Sequence, residues 1–476
     1  MKTPVSLVLG CSILLNGCLV GPDYKRPAIA APPSFRGQDR PEPSSWADQA
    51  WWDVYSDPYL VALIKEALTN NYDLKTAIAR ARQALDYLRV ARSDYFPTVN
   101  LETGAQRDHG VYKNDPDLRL PTNTQTTNLY LGGFLTTWEI DLWGRIRRSN
   151  EAANAAYLST EEARRDLMLL LISQVAQAYL ELVELDRREG IARASRDAFE
   201  STYNLFSKRF GAGIVSRLQV TRAQAALAAA EATLSDVERQ IAEKEDQLCV
   251  LVGRNPGPIL RIAPDKEFNP PPSVPAGLPS KLLERRPDIR QAEQNLRNAS
   301  ANIGVANANF FPAFGLTGLL GRVSPQLSSL SAGTADIWAL AASFSGPVFT
   351  AGRLRNEYRA AVEAFEQAKD QYALSALKAF QEVSDALVAS QKLSAEETEQ
   401  KREVTALEES VAIARRRYLG GLASYYEVLE AQQLLYPAEI NLSETSRDRR
   451  VAIVNLYRAL GGGWSFSNAQ LTNGRP

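Results

Sequence analysis

Two patterns of apolar and polar residues run along this chain, one with the period of an α-helix and one with the period of a β-strand. Helices are predicted at 60–93, 146–210, 214–252, 280–308, 353–418 and 422–460. The stretch 146–210 contains no proline and would be roughly 97 Å long as a single helix. Helices of this length indicate a coiled coil or a bundle rather than a globule.

Between the helices lie segments in which apolar and polar residues alternate, as they do in β-strands. These segments are 98–106, 128–141, 313–320 and 337–344. Pro97 and Pro312 precede the first and the third segment, and each is predicted to break the chain between a helix and a strand. Segments of about 9–12 residues are long enough to cross a bilayer as tilted strands.

The chain consists of two copies of this plan. Tyr95-Phe96-Pro97 aligns with Phe310-Phe311-Pro312 at a constant offset, and further along Phe210 aligns with Tyr418. The first repeat is predicted at 60–254 and the second at 280–464. A proline-rich linker at 255–279 joins them, and a tail at 465–476 follows.

Four strands in one chain are too few for a membrane barrel. Backbone groups that face lipid must be paired, and the smallest common outer-membrane barrel has about eight strands. If these strands lie in a membrane, the chain must therefore oligomerise. The alternative is a soluble β-sandwich that lies against the helices.

The N-terminus has the pattern of a secretory signal. Lys2 is followed by the apolar run Val5–Leu15 and then by Gly17-Cys18, which is similar to a bacterial lipobox. We therefore expect a lipoprotein signal at 1–17, acylation of Cys18 and an anchored extended segment at 18–59. Cys11 is a second candidate for acylation, and an ordinary secretory signal with an incidental cysteine is the other interpretation.

Composition and charge exclude several classes of protein. The chain is 45% hydrophobic and 23% charged, which argues against both a disordered chain and a helical membrane protein. Its net charge of −1 gives no reason to expect a nucleic-acid partner. His109 is its only histidine, and no glycine-rich phosphate loop or Cys/His ligand pair occurs. We therefore expect no catalytic activity, no cofactor and no metal site.

Several motifs in order give the chain its resemblance to a known family. They are Gly17-Cys18-Leu19-Val20-Gly21-Pro22-Asp23-Tyr24, Trp51-Trp52-Asp53-Val54-Tyr55-Ser56-Asp57-Pro58, Trp138-Glu139-Ile140-Asp141-Leu142-Trp143-Gly144-Arg145, Glu284-Arg285-Arg286-Pro287-Asp288-Ile289-Arg290 and Tyr457-Arg458-Ala459-Leu460-Gly461-Gly462-Gly463-Trp464. Together they resemble the TolC-like outer-membrane efflux proteins, specifically the lipid-anchored OprM/NodT type, nearly from end to end.

The resemblance implies a homotrimer in the outer membrane of a Gram-negative bacterium, with a large periplasmic part. Four strands from each copy would form a 12-stranded β-barrel in outer-membrane lipid. The helices would continue it through the periplasm as an α-helical barrel. A periplasmic adaptor protein would couple this passive exit duct to an inner-membrane transporter, commonly of the RND class.

The resemblance also places a gate at the periplasmic tip, where each repeat has a glycine turn between two helices. The tip turns, which are also expected to contact the adaptor, contain Gly211, Gly213, Ser216, Gly420, Gly421 and Ser424. Glu427 and Glu430 share one helix face beyond the second turn, and threefold symmetry would make each a ring of carboxylates. Ala423 stands where the family has an arginine, so we expect closure to depend more on Tyr418 than on charge pairs.

Two other functions remain open from the sequence. The first is a periplasmic structural or adaptor-like lipoprotein, whose helices form a coiled coil and whose strands never enter a membrane. The second is an outer-membrane duct that serves protein export with an ABC transporter instead of small-molecule efflux.

Overall fold

The structure is a computed structural model, and it describes residues 19–37, 57–111, 124–263, 277, 279–331 and 336–462. The predicted signal 1–17, the acylation site Cys18 and the tail 465–476 lie outside the described residues, as does most of the linker predicted at 255–279.

Long helices dominate the described part of the chain, which confirms the predicted mainly helical fold. The helices are α1 (Pro58–Asn70), α2 (Tyr72–Ser93), α3 (Arg145–Gly211), α4 (Arg217–Val252), α5 (Pro279–Arg285), α6 (Pro287–Ala308), α7 (Arg353–Leu419) and α8 (Tyr425–Ala459). The strands are β1 (Thr98–Val111), β2 (Thr124–Ile140), β3 (Ala313–Ser324) and β4 (Asp336–Ser345).

Two helices that were predicted as continuous are each broken in two. The helix predicted at 60–93 is interrupted at Asn71, whose ψ of 131° is not helical. There the Asn71 side chain donates to the backbone oxygen of Leu251 at 2.9 Å and accepts from the backbone N–H of Leu74 at 2.9 Å. The helix predicted at 280–308 is interrupted at Arg286, because the residue before a proline is disfavoured in helical geometry.

The four strands form one antiparallel sheet in the order β1-β2-β3-β4. Each strand pairs with its neighbour in sequence, so the end of one strand lies beside the start of the next. Thr98 lies opposite Thr137, Ile140 opposite Phe314, and Ala313 opposite Ser345. Strands β1 and β4 are the two edges of this sheet, and each has one side without a neighbour among the described residues.

The chain divides into two compact units. The first contains the sheet and is made of Met1–Pro27, Ala81–Ser159 and Ala292–Tyr372; the second is made of Ala28–Arg80, Thr160–Gln291 and Ala373–Pro476. In the first unit several contacts fix the N-terminal segment, including two beside the start of α3. The Val20 N–H donates to the Trp143 oxygen at 3.1 Å, and the Arg148 side chain pairs with Asp23 at 2.8 Å.

The second unit has a helical core to which α1, α3, α4 and α8 contribute, with Ile64, Val175, Leu248 and Val454 among its buried residues. Among the described helices, α3 contains the one stretch that is long and apolar enough to cross a membrane. However, 67% of that stretch is buried inside the protein. Its apolarity is therefore explained by the core that it fills.

Candidate functional site

The turn between α3 and α4 is closed by a pair of backbone hydrogen bonds. The Ile214 N–H donates to the Arg209 oxygen at 2.9 Å, and the Gly213 N–H donates to the Phe210 oxygen at 2.9 Å. This pairing is the Schellman motif, in which the residue just past the helix takes a left-handed conformation. That residue is Gly213, with φ of +71°.

The turn between α7 and α8 repeats this backbone arrangement. The Leu422 N–H donates to the Arg417 oxygen at 2.9 Å, and the Gly421 N–H donates to the Tyr418 oxygen at 3.0 Å. Gly421 also has a φ of +71°. The two repeats therefore end their long helices in the same way, and the chain reverses direction through equivalent residues.

The four predicted turn glycines do not play equal parts. Gly213 and Gly421 have the positive φ that favours glycine, whereas Gly211 and Gly420 do not. Gly211 is the last residue of α3. The helices that follow begin three residues later than predicted, at Arg217 instead of 214 and at Tyr425 instead of 422, because the Schellman turn and the cap use the residues between.

Ser216 and Ser424 are the N-cap residues of α4 and α8, both with extended backbone. Gln219 side-chain oxygen Oε1 accepts from the Ser216 backbone N–H at 3.1 Å, which is half of a capping box. Gln219 thus caps its own helix. Glu427 is the corresponding residue after the second turn.

Tyr418 joins the two turns. Arg209, in the last turn of α3, donates a hydrogen bond to the Tyr418 hydroxyl, and its guanidinium carbon lies 5.4 Å from the centre of the Tyr418 ring. The Tyr418 ring also meets the Tyr425 ring edge to face, with 5.0 Å between the ring centres. The side chain at the end of α7 is therefore held by α3 on one side and by α8 on the other.

Tyr425 extends this contact towards α3. Its ring packs edge to face on Phe206 with 4.8 Å between the centres, and its hydroxyl is hydrogen-bonded to the Thr202 hydroxyl. Burial raises the pKa of Tyr425 above its usual range, so the phenol stays neutral. The four side chains Arg209, Tyr418, Tyr425 and Phe206 form a continuous cluster, which we call the tyrosine cluster.

The two predicted gate carboxylates lie on the exposed surface of α8. Glu427 Oε2 is 3.5 Å from Arg417 Nε, and both side chains are about half exposed. Glu430 is also exposed, and within the described residues no cation lies at ion-pair distance from it. Across the described ranges no group of three or more potential metal ligands occurs. The start of α8 therefore presents two exposed carboxylates, one of them paired with Arg417.

The other predicted site residues lie elsewhere. Pro97 stands directly before β1, and Pro312 directly before β3, each following a short turn at the end of a helix. Cys18 lies outside the described residues. Arg209 and Thr202 were not predicted as part of the site. The sequence signal available was the pair of equivalent aromatic positions, Phe210 and Tyr418, but their distances along the chain do not reveal which side chain each one meets.

Comparison with known proteins agrees with these features. A family model described as outer membrane efflux protein matches residues 63–254 and 278–462. The chain is 33% identical to the toluene efflux pump outer membrane protein TtgC of Pseudomonas putida, covering 98% of this chain and 97% of that protein. It is 30% identical to the probable outer membrane lipoprotein SilC of Salmonella typhimurium, covering 96% and 98%. The solved structure of the outer-membrane channel OprN has a TM-score of 0.85 at 30% identity, covering 94% and 100%.

Each half of the chain has two strands and a pair of long helices joined by a Schellman turn, and the fold matches that of a solved outer-membrane channel. The chain belongs to the outer membrane efflux protein family. It is the outer-membrane channel of an efflux system, and this decides against the periplasmic adaptor-like lipoprotein. The family is one of channels, not of enzymes.

Proposed function

We propose that three copies of this chain close their sheets into one 12-stranded barrel. The observation that carries this proposal is the open sheet of β1 to β4. All four strands are long enough to cross a bilayer, yet both edges lack a partner within the described part of the chain. Unpaired edges are not tolerated in lipid, so β4 of one copy must pair with β1 of the next.

The gate is proposed at the two helix-to-helix turns. The tyrosine cluster would hold α7 and α8 against α3 in the closed state, because it joins all three helices through ring contacts and hydrogen bonds. Glu430 and Glu427 would face the passage and, in a trimer, form two acidic rings. Glu430 has no cation at ion-pair distance among the described residues, so its ring in particular would attract positive ions and bind divalent cations.

The same turns are the proposed contact with a periplasmic adaptor. Ile214 and Leu422 follow the turn glycines and are largely exposed, as is Leu419 at the end of α7. Exposed apolar side chains on a tight turn suit a protein partner better than water. The adaptor would link the channel to an inner-membrane transporter of the RND class.

The cargo and the anchor are proposed from the relatives. TtgC is named for toluene efflux, and SilC is named a probable lipoprotein. We therefore favour small molecules over proteins as cargo, with the ABC-linked protein-export duct as the alternative, and acylation of Cys18 as the anchor. The channel itself would use no cofactor and would catalyse nothing. A Cys18→Ser protein with a cleavable signal should still form trimers, since the barrel alone would hold it in the membrane.

The test is planar-bilayer conductance of the detergent-purified protein, with its oligomeric mass measured in parallel. We expect trimers with discrete pores that divalent cations block. Glu430→Ala should change the conductance and weaken that block, whereas Glu231→Ala, an exposed glutamate on α4, should do neither. Trimers that do not conduct would contradict the channel. Unchanged conductance and unchanged block in Glu430→Ala would remove Glu430 from the gate.

A further inference from the structure

Two linkers of the sheet-containing unit connect a strand to a long helix, and they are equivalent by the internal repeat. The first follows β2 and leads into α3 at Arg145, and the second follows β4 and leads into α7 at Arg353. Their last residues, Gly144 and Gly352, have φ of +83° and +85°. Each accepts a hydrogen bond from the first turn of its helix, at 2.8 Å and 3.0 Å. The two linkers therefore deliver the chain into its helices in the same way.

The linker after β2 is covered on both sides by the protein's own chain. On one side, Trp138 near the end of β2 donates its ring N–H to the Tyr95 oxygen at 3.1 Å, beside the start of β1. On the other side, Trp143 stacks on Phe311 with 4.8 Å between ring centres and donates to the Pro312 oxygen at 2.8 Å. Both contacts follow from the antiparallel sheet, since the end of β2 lies between the starts of β1 and β3.

The linker after β4 is covered on one side only. Gly346 lies against Pro312, so closely that a Cβ added at Gly346 would be 2.8 Å from Pro312 Cγ. Beyond that point Val348 is fully exposed and Phe349 is 88% exposed. In the first repeat the aromatic residue of this linker is Trp143, and in the second it stands two positions earlier, at Phe349.

The junction between α2 and β1 is also covered on one side only. Tyr95 receives the hydrogen bond from Trp138, but Phe96 is 69% exposed, and among the described residues its ring makes no ring contact. Its counterpart in the second repeat is Phe311, which Trp143 covers. The unit therefore has one uncovered apolar linker at one edge of the sheet and one uncovered apolar junction at the other edge.

We infer that Val348 and Phe349 of one copy pack on Phe96 and Pro97 of the next copy. Strands alternate in direction across the sheet, so β4 would lie antiparallel to β1 of its neighbour. The end of β4 would then lie beside the start of that β1, as the end of β2 lies beside the start of β3 within one chain. This inference rests on the proposed trimer and identifies the side chains that seal the copies together below the barrel.

The geometry favours a second copy over lipid as the partner of this surface. In the first repeat the equivalent linker meets protein, through an aromatic stack and a hydrogen bond to the residue before β3. The exposed linker lies at the β4 edge of the sheet and the exposed junction lies at the β1 edge. They can meet only if the β4 edge of one copy pairs with the β1 edge of another. Lipid contact at Phe349 would leave Phe96 without a partner.

The test is disulfide cross-linking of the full-length protein in detergent. The variant Phe96→Cys/Phe349→Cys should give covalent dimers and trimers under mild oxidation, and a reducing agent should return them to monomers. Each single-cysteine variant is the control for background from the native thiols, since a single position cannot meet itself around a threefold axis. The matched control is Phe96→Cys/Leu340→Cys, because Leu340 is also largely exposed but lies in the middle of β4, well before the linker that contains Phe349. It should stay uncross-linked.

The outcomes separate this inference from the proposed function. If conducting trimers form but Phe96→Cys/Phe349→Cys gives no product between chains, the trimer stands and the inference is wrong, with Phe349 facing lipid. A disulfide within one chain, seen as a monomer with altered mobility, would also overturn it. If the wild-type protein forms neither trimers nor pores, the proposed function itself fails. As a second measurement, Phe349→Asp should lose most of its trimer, whereas Leu260→Asp, an exposed site in the helical unit, should keep it.

Discussion

The two helix-to-helix turns have the same backbone but different side chains. Both are Schellman turns with a glycine at φ of +71° and a serine at the following N-cap. The first turn carries Phe210 and Gln219 where the second carries Tyr418 and Glu427. Phe210 is half exposed and, among the described residues, makes no ring contact, whereas Tyr418 touches both Arg209 and Tyr425.

This difference shows that reversing the chain and holding the helices together are separate tasks. Backbone hydrogen bonds and one left-handed glycine are sufficient for the turn, so each repeat performs that task alone. The side chains that join the helices come from both repeats, with Tyr418 and Tyr425 from the second packing on Phe206 and Arg209 from the first. The same backbone turn therefore occurs twice, while only one of the two equivalent aromatic residues joins the helices.

The largest expected effect comes from removing Tyr418. Tyr418→Ala would lose an edge-to-face ring contact and a cation–π contact, together worth about 1.5 kcal/mol. If the turns form the gate, the ratio of open to closed channels should rise about tenfold. Single-channel recording in planar bilayers measures this ratio directly. The matched control is Phe210→Ala, the equivalent residue of the first turn, which should leave gating unchanged.

Equal effects in the two variants would contradict the asymmetry between the turns. A rise in channel opening for Phe210→Ala alone would reverse that asymmetry. Phe210 of the first turn, instead of Tyr418, would then be the residue that holds the helices together. The fraction of trimer in both variants, determined from the oligomeric mass, must equal that of the wild type, so that a change in opening is not caused by lost assembly.

A second prediction concerns the shared backbone. Gly213→Ala and Gly421→Ala each force a side chain into the left-handed region, which costs about 1 kcal/mol. Amide hydrogen exchange at each turn should accelerate about fivefold, and by the same factor in both variants. Gly211→Ala and Gly420→Ala are the controls, because neither glycine has a positive φ. Unequal acceleration at the two turns would mean that their backbones are not equivalent in solution.

Much of this fold could be predicted from the sequence, since alternation and helical periodicity are local signals. All four strands occur where alternation predicted them, although β1 continues to Val111, past the predicted end at 106. Residues such as Arg107 and Asp108 are polar and give no alternation. The break at Asn71 was missed because its cause is a hydrogen bond to Leu251, 180 positions away in sequence.

The candidate site could be predicted only in part. The turn glycines, the two turn serines and the two glutamates were named from the sequence because their positions repeat or match a family motif, but the capping role of the serines was not predicted. The partner of Tyr418 could not be found, since Arg209 lies 209 positions earlier and no local pattern joins the two residues. The four glycines could be distinguished only by their backbone φ angles, which cannot be read from the sequence.

A smaller effect is expected from Glu439, further along α8. Partial burial, and then repulsion from Glu408 on α7, raise the pKa of the Glu439 carboxyl. Its ionised form is therefore disfavoured in the folded protein. The free energy of unfolding accordingly falls as pH rises from the pKa of the unfolded chain to the raised pKa of the folded protein. Glu439→Gln should raise Tm at about pH 8 and leave it nearly unchanged at about pH 4, where the carboxyl is mostly protonated in both states. Because the group is partly exposed, the gain should be below about 1 kcal/mol.

The control for Glu439 is again its counterpart in the other repeat. Glu231 lies at the equivalent position of α4 and is exposed, so Glu231→Gln should leave Tm unchanged at both pH values. A gain for Glu439→Gln that persists at about pH 4 would show that charge is not its cause.

The smallest effect is expected when Glu427 of the second turn is replaced by glutamine, the residue at the equivalent position of the first turn. This variant is also the sharpest test of the comparison between the turns. Glu427→Gln removes the contact with Arg417, a half-exposed pair at 3.5 Å that should be worth no more than about 0.5 kcal/mol. At the equivalent position of the first turn Gln219 accepts from the Ser216 N–H, so a glutamine is compatible with this end of a helix. Channel opening should rise about twofold in low salt, and the difference should vanish at about 1 M salt, where exposed charges are screened. A tenfold rise in low salt that vanishes in high salt would instead give Glu427 the weight that we assign to Tyr418, and closure would then depend on charge rather than on the tyrosine cluster.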